Sequence, residues 1–286
     1  MTDLRKYVGR KIRLVQTIIK IHQLKIEDAG VDSRENIPFI KLENGPVFYG
    51  IFPTHSLRKD YWLFSRRLRR KVPQECLRVA LDIIIRYQEC GLKWGGPNKE
   101  AYYDVKPGHI VAEMGAYMGY YCLRLSEKVG SEGQVIAIEP IPENIAILEK
   151  NISENNLSNV HIVPKGVWKE KTRLPFRQRN TDKQSGSVYL EYGDQKEQML
   201  EVDTLDNILA EWNVPKVDFM VIQLNGAELE ALQGLRNHHP HHLAIAARYN
   251  AQGRSDVTKI RDLLNNRGYQ VKIHQNRFIF GWIDEK

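Results

Sequence analysis

The chain has 286 residues, with 42% hydrophobic and 27% charged side chains and a formal net charge of +7. This composition is ordinary for a soluble globular protein, and no apolar run approaches the roughly 20 residues that a membrane span needs. The start lacks a signal peptide, and Cys76, Cys90 and Cys122 show no metal or disulfide spacing, which predicts a cytoplasmic chain with reduced thiols.

The positive charge is concentrated toward the N-terminus. Residues 1–105 hold 20 Lys and Arg against 12 Asp and Glu, a net charge of +8, whereas the remainder has a net charge of −1. This asymmetry predicts an anionic partner for the N-terminal part.

The first predicted elements are a helix and a hairpin. Apolar residues at spacings of three and four predict an amphipathic helix over 4–25, which either packs on its own domain or contacts a membrane surface or partner helix. The polar residues 26–36 predict a loop. Asn44 and Gly45 separate two β-rich runs and therefore predict a β-hairpin.

A basic stretch follows, with Arg66, Arg67, Arg69 and Arg70 directly after several aromatic residues. Basic and aromatic side chains together could bind nucleic acid or a phosphorylated substrate, but a solvated helix face has the same pattern. We treat these four arginines as a candidate site for an anionic ligand.

A helix over 73–90 and a linker-like loop at 93–98 complete the N-terminal part. Pro73 suits the first turn of that helix, and Gly91 suits its end. We therefore expect a basic N-terminal extension of helices and a hairpin over residues 1–98, and a cofactor-binding domain over 99–286.

A strand, a glycine turn and a helix begin the second domain. The apolar run 110–112 predicts a buried strand, Glu113 follows it, and Gly115 and Gly119 frame a turn before a helical pattern over 118–129. Glycine lets the backbone approach a cofactor closely, and the helix N-terminus adds unpaired N–H donors. A tight turn without a ligand has the same pattern.

The next strand ends in Glu139 and Pro140, 24 residues after Gly115. In nucleotide-binding βαβ units an acid at about this distance accepts hydrogen bonds from the ribose hydroxyls. The turn lacks the G-x-G-x-x-G spacing of NAD-binding loops and fits the E/D-x-G-x-x-x-G loop of S-adenosylmethionine enzymes better.

Strands and helices alternate to the C-terminus. Further predicted helices span 142–156, 203–212, 226–236 and 256–268, and further predicted strands span 159–163, 217–222 and 243–247. Residues 170–202 predict short strands inserted at the carboxyl end of the sheet, where they could shape an acceptor pocket. The last residues predict an antiparallel hairpin, a feature that distinguishes methyltransferases from dehydrogenases.

Four segments together resemble the FkbM family of S-adenosylmethionine-dependent methyltransferases over residues 108–248. They are Glu113–Tyr121, Ile138–Asn144, Asn151–Val160 and Val217–Leu232. The resemblance implies an α/β Rossmann-like methyltransferase fold, with a seven-stranded, mostly parallel sheet and a C-terminal antiparallel hairpin. It also implies S-adenosylmethionine as cofactor and O-methylation of a sugar, glycolipid or natural-product hydroxyl.

The resemblance and the residue pattern assign a cofactor site. Glu139 should hold the ribose, the loop from Glu113 to Gly119 should hold the methionine part, and Val167 and Trp168 should pack on the adenine. The full set of expected cofactor-binding residues is Glu113, Gly115, Ala116, Tyr117, Gly119, Tyr120, Glu139, Pro140, Asn144, Gly166, Val167 and Trp168.

The expected catalytic positions depart from the family pattern. Gln223 stands where the family has Asp, Asn225 where it has Glu, and Glu113 where Asp is usual. Gln and Asn form hydrogen bonds but do not take up a proton at neutral pH. Asn225 and Glu228 also fit a helix capping box.

A cluster of four histidines offers another base. His239 is the best candidate in this cluster, although adjacent histidines before a strand also fit a solvated turn. No acid accompanies them at metal-ligand spacing, so we expect no metal.

Three functions remain open at this point. The first is O-methylation of a small-molecule acceptor, the second is a nucleic-acid-binding methyltransferase guided by the basic N-terminal part, and the third is a non-catalytic member of the family.

Overall fold

The computed structural model describes residues 16–59, 61, 64–92, 96–179, 182–189, 195–247 and 256–284. Within them the N-terminal part contains an antiparallel sheet in the order β1 (Ile26–Asp32), β2 (Ile37–Leu42) and β3 (Val47–Tyr49). The predicted hairpin is confirmed as β2 and β3, with Asn44 at φ +52° in its turn. The predicted loop over 26–36 is wrong for β1, because those residues pair with the edge of β2.

The predicted first helix is helical at 16–21 and ends before β1, and its residues before 16 lie outside the described part of the chain. Helices α1 (His55–Lys59) and α2 (Arg66–Lys71) follow. The predicted helix over 73–90 is confirmed as a helical run that changes type along its length. It consists of a 3-10 turn (Gln74–Cys76), α3 (Leu77–Asp82) and a π-helical segment (Ile83–Gln88).

The methyltransferase-type sheet is confirmed. Its described strands are β4 (Ile110–Met114), β5 (Gln134–Ile138), β6 (Val160–Val163), β11 (Phe219–Ile222), β12 (His242–Ala246), β13 (Gln270–His274) and β14 (Phe278–Trp282). Their order is β13-β14-β12-β11-β4-β5-β6, and β14 is antiparallel to both of its neighbours. The central strands are nearly continuous apolar runs because helices and loops cover both faces of the sheet.

Helices connect these strands, and a small sheet is inserted between β6 and the strand β11. The helices are α4 (Tyr120–Val129), α5 (Pro142–Glu154), α6 (Leu205–Glu211), α7 (Glu228–Gln233) and α8 (Val257–Asn266). The inserted strands are β7 (Gly166–Val167), β8 (Thr172–Arg179), β9 (Asp182–Ser187) and β10 (Gln195–Asp203), in the order β7-β10-β8-β9. The insertion therefore begins at the carboxyl end of β6, as predicted.

The N-terminal part packs directly on the glycine turn. One buried cluster joins Ile18, Phe48 and Leu81 of the N-terminal part with Met118 and Tyr120 of the turn and α4. The boundary between residues 98 and 99 stays a prediction. In the described part of the chain, no helix combines the length and the apolar character needed to cross a bilayer.

Candidate functional site

The glycine turn lies where β4 ends, beside the end of β11. Gly115 and Gly119 have φ values of +81° and +79°, which side chains rarely tolerate. A Cβ at Gly115 would lie 2.5 Å from the carbonyl oxygen of Gln223, and one at Gly119 would lie 2.3 Å from Cδ1 of Leu148. Both glycines are therefore required by the backbone and by close neighbours.

Glu139 holds the turn together from the end of β5. Its Oε2 accepts a hydrogen bond from the Tyr117 amide at 2.8 Å, and its Oε1 accepts from the Ile141 amide and from Nδ2 of Asn144, both at 3.1 Å. Burial raises the pKa of Glu139 to about 7, although these three hydrogen bonds lower it. Three N–H donors use three of roughly four lone-pair positions, which leaves one for a ligand hydroxyl.

Glu113 is engaged elsewhere. Its Oε1 accepts from Nζ of Lys99 at 2.7 Å, and its Oε2 accepts from Sγ of Cys122 at 3.2 Å. Lys99 also lies 3.7 Å from the ring centroid of Tyr121, and both charged side chains are fully buried. The expected contact of Glu113 with the cofactor, directly or through a water, stays a prediction, and the structure places its carboxylate in a buried ion pair under α4.

An apolar cleft opens between the main sheet and the inserted sheet, with about 450 Å³ of empty space that includes open solvent. It brings together Pro140, Gly166, Val167 and Trp168, all expected cofactor residues, of which Val167 and Trp168 were expected to pack on the adenine. The remaining lining residues are Ile138, Lys165, Phe176, Val188, Leu200, Val202, Leu224 and Ala227. The apolar character of this lining suits a planar ligand group.

Three other expected cofactor residues have partners within the protein. The hydroxyl of Tyr120 donates to the carbonyl of Tyr49 at 3.1 Å, and its ring stacks on Phe48. The expected contact of Tyr120 with the cofactor stays a prediction, and its side chain is engaged by the N-terminal part. Asn144 donates to Glu139, and the Ala116 amide donates to the carbonyl of Ile138.

The end of β11 carries amides where acids were expected. The backbone N–H of Gln223 donates to the Met114 carbonyl at 3.1 Å, which fixes this tip beside β4. The residue is half-buried. Asn225 adopts φ +55°, and its Nδ2 donates to the carbonyl of Gly186 at 3.1 Å. Ser187 Oγ donates to the carbonyl of Asn225, so this loop is joined to β9.

The capping box predicted for α7 is wrong for Asn225. The residue before α7 is Ala227, and it makes no side-chain cap. Glu228 instead accepts from the amides of Leu224 and Gly226 at 2.9 and 3.0 Å. Its carboxylate therefore shapes the loop after β11 and is not a free base.

His239, the histidine predicted as a base, lies far from the glycine turn, and its role as a base stays a prediction. His239 precedes β12, whose first residue, His242, pairs with the first residue of β11, Phe219. Because these strands are parallel, His239 lies at the opposite edge of the sheet from the glycine turn, about 13 Å away at ~3.3 Å per residue. The neighbouring His238 pairs with Asp206 at 2.9 Å.

Sequence reasoning missed a charged cluster on the glycine turn. Asp82 is buried and accepts from Nε of Arg78 at 2.8 Å and from Nε of Arg86 at 3.1 Å. Burial alone would raise the pKa of Asp82, but the charges of both arginines outweigh it and hold the pKa below its usual value. The hydroxyl of Tyr117 accepts from Arg78 at 3.2 Å, and its ring lies 4.2 Å from the Arg86 guanidinium. In the sequence, the pattern that indicates this cluster is the spacing of four residues between Arg78, Asp82 and Arg86.

A second missed pair lies beside the cleft. The hydroxyl of Tyr189 donates to Glu230 of α7, and the Tyr189 ring contacts Trp168 with 5.8 Å between ring centroids. Burial and this carboxylate raise the pKa of Tyr189. No group of three metal-ligating side chains occurs among the described residues.

Comparison with known proteins gives matches to methyltransferases. The family described as Methyltransferase FkbM domain matches residues 113–271, more than half of the chain. Methyltransferase 1 of Beauveria bassiana is 22% identical over 197 residues, which cover 60% of this chain and 78% of that protein. Arsenite methyltransferase of Halobacterium salinarum is 32% identical over 72 residues, 25% of this chain and 18% of that protein.

Solved structures that are similar to this chain are also methyltransferases. A crystal structure of methyltransferase FkbM from Methylobacillus flagellatus KT has a TM-score of 0.46 and 16% identity, and the match covers 72% of this chain and 54% of that chain. The chain thus spans about half of that protein and less than a fifth of the arsenite methyltransferase.

Proposed function

This chain belongs to the FkbM family of S-adenosylmethionine-dependent methyltransferases, and we propose that its acceptor is a hydroxyl of a sugar, glycolipid or natural product. The cofactor supplies an electrophilic methyl group on a sulfonium, so the protein has to position the acceptor and allow its proton to leave. The residues at the carboxyl edge of the sheet are suited to the first of these tasks.

The cofactor assignments follow the geometry of that edge. We assign Pro140, Gly166, Val167 and Trp168 to the adenine, because they line the apolar cleft. We assign Glu139 to the ribose, because Ile138 and Pro140 on either side of it line the same cleft and one carboxylate lone pair remains.

The turn itself is assigned to the methionine part. Gly115, Ala116, Tyr117 and Gly119 form it, and Asn144 acts by positioning Glu139.

The observation that carries the acceptor proposal is the place of Gln223. Its backbone bonds to β4, which holds it next to the glycine turn, and its half-buried side chain is an amide. An amide both donates and accepts hydrogen bonds, so it can orient a neutral hydroxyl without removing its proton. The acceptor proton would then leave to water, and general base catalysis worth roughly 10²–10⁴-fold would be absent.

Two further proposals concern the surroundings of the enzyme. Arg66, Arg67, Arg69 and Arg70 are exposed on α2 and form no ion pair with another described residue, which supports an anionic group on the acceptor or partner. The three cysteines are free and buried, which supports a reducing, cytoplasmic compartment.

The test is turnover of S-adenosylmethionine with a panel of sugars and glycosides. We expect slow turnover by the wild type and faster turnover by Gln223→Asp, which restores a proton acceptor. Gln233→Asp, at the exposed end of α7, is the matched control and should change nothing. Fast wild-type turnover that Gln223→Asp abolishes would show that the amide itself is required, and the proposed loss of base catalysis would be refuted.

A further inference from the structure

A cluster of Arg78, Asp82, Arg86 and Tyr117 brings charged side chains of the N-terminal part onto the glycine turn. Two arginines share one aspartate at the glycine turn. Asp82 is 1% exposed and uses both oxygens on the two Nε atoms. This aspartate therefore fixes both guanidinium groups from one side.

Arg86 is the arginine with free hydrogen-bonding capacity. Its Nε donates to Asp82, whereas its two terminal nitrogens donate to no described residue. Its side chain is 29% exposed, so part of it is accessible to a ligand. Two parallel N–H groups on a fixed planar fork match the two oxygens of a carboxylate.

The position of Arg86 is fixed from two sides. Asp82 lies one helical turn before it, and the Tyr117 ring lies against its guanidinium at 4.2 Å. Tyr117 itself adopts φ +59° and donates its amide to Glu139. A single residue of the glycine turn thus contacts both the arginine and the acid assigned to the ribose.

The order of groups along the sheet edge indicates which part of the cofactor lies near Arg86. The apolar cleft lies at the ends of β5 and β6, Glu139 follows β5, and Tyr117 lies in the turn after β4. A cofactor whose adenine lies in the cleft and whose ribose lies at Glu139 extends its amino-acid end toward the turn. That end carries one carboxylate.

We propose that Arg86 binds the carboxylate of the cofactor's methionine part, with Asp82 and Tyr117 as its positioning residues. This inference rests on the cofactor placement proposed above and is independent of the identity of the acceptor. It gives the N-terminal part a function in the cofactor site, because Arg86 lies in the π-helical segment that packs on α4.

The test compares two ligands that differ by the carboxylate alone. S-adenosylhomocysteine and its decarboxylated analogue, which keeps the amine, are titrated by calorimetry into the wild type, Arg86→Gln and Arg86→Lys. We expect Arg86→Gln to weaken S-adenosylhomocysteine about tenfold or more, the scale of a lost charge-assisted hydrogen bond, and to leave the analogue unchanged. Arg261→Gln on α8, where Arg261 is exposed and pairs with Asp262, is the control and should behave like the wild type.

Other outcomes would overturn the proposal. Equal weakening of both ligands would show that Arg86 only supports the fold of the turn, and no weakening would place the carboxylate elsewhere. If Arg86→Gln does not fold, Arg86→Lys decides, because it keeps the charge near Asp82 but loses the planar fork and should weaken only the carboxylate-bearing ligand. Absence of binding of either ligand to the wild type would refute the cofactor placement and this inference with it.

Discussion

Glu113 and Glu139 lie at the ends of adjacent parallel strands, and both are almost fully buried. Glu113 is paired with the buried ammonium of Lys99. Glu139 has three N–H donors but no cation among the described residues, and burial raises its pKa to about 7. Two carboxylates at one sheet edge therefore have different roles, which their partners decide.

This difference distinguishes residues that stabilise the fold from residues that can bind a ligand at this site. A buried ion pair has its charge compensated within the protein, so it contributes to the fold and offers little to a ligand. A buried carboxylate held only by N–H donors keeps an uncompensated negative charge, so one more donor, such as a ribose hydroxyl, stabilises it. Changes at Lys99 should thus affect stability, and changes at Glu139 should affect binding.

The largest effect is expected for Lys99→Met. Removing the ammonium leaves the Glu113 carboxylate buried without a cation, which typically costs about 3–5 kcal/mol. Urea unfolding should show this loss, and Lys99→Met with Glu113→Gln should recover much of it. If the single variant unfolds like the wild type, Glu113 has another source of compensation and the contrast with Glu139 disappears.

Glu139→Ala should weaken cofactor binding about tenfold or more, because charge-assisted hydrogen bonds of ~1.5–3 kcal/mol are lost. The measurement is calorimetric titration with S-adenosylhomocysteine. Glu132→Ala, an exposed change in the turn before β5, is the control. Equal affinities of the wild type and Glu139→Ala would remove Glu139 from the cofactor site.

The affinity for S-adenosylhomocysteine should fall as the pH is lowered from 8 to 6. The pKa of Glu139 lies near 7, so at pH 6 only about a tenth of this carboxyl is ionised and ready to accept a charge-assisted bond. We expect a loss of up to about tenfold, measured by titration at each pH. Glu139→Gln should bind with an affinity that is flat over this range, and a flat wild-type profile would contradict the assignment.

The same pKa has a consequence for stability. The folded-state pKa of Glu139 is above its usual value of 4.5, so the folded protein holds an extra proton between about pH 4.5 and 7. The contribution of this residue to the free energy of unfolding is full below that window and is lost as the pH rises through it. The difference in unfolding free energy between wild type and Glu139→Gln should follow this direction.

The smallest effect on cofactor affinity is expected for the exposed arginines of α2. Replacement of Arg66, Arg67, Arg69 and Arg70 by Ser should leave cofactor affinity unchanged, because these side chains lie outside the cofactor site. Binding of an anionic glycan, lipid or nucleic acid should weaken, most clearly at low salt. If none of these ligands binds the wild type at low salt, the stretch is a solvated helix face. Salt-dependent RNA or DNA binding would instead favour a nucleic acid acceptor.

Local patterns predicted much of this molecule. Apolar runs, the glycine turn and the strand-end acid gave the parallel sheet, because a strand buried on both faces has a continuous apolar sequence. The Asn44-Gly45 turn and the last residues predicted their hairpins, since turn type and alternation are local properties. Pro140 and Gly166 to Trp168 were predicted to belong to one cofactor site, and they line one cleft because the carboxyl ends of neighbouring parallel strands share one edge.

Contacts between distant residues were decided by the tertiary structure alone. Glu113 is bound by Lys99 from before the first strand of the sheet, and Tyr120 packs on Phe48, and no local pattern predicts either contact. His239 follows α7 in sequence, but the parallel direction of β12 places it at the edge opposite the site. Arg86 reaches Tyr117 only because the N-terminal part folds onto α4. Periodicity specifies which face of an element is buried, whereas the partner of a buried charge depends on how whole elements pack.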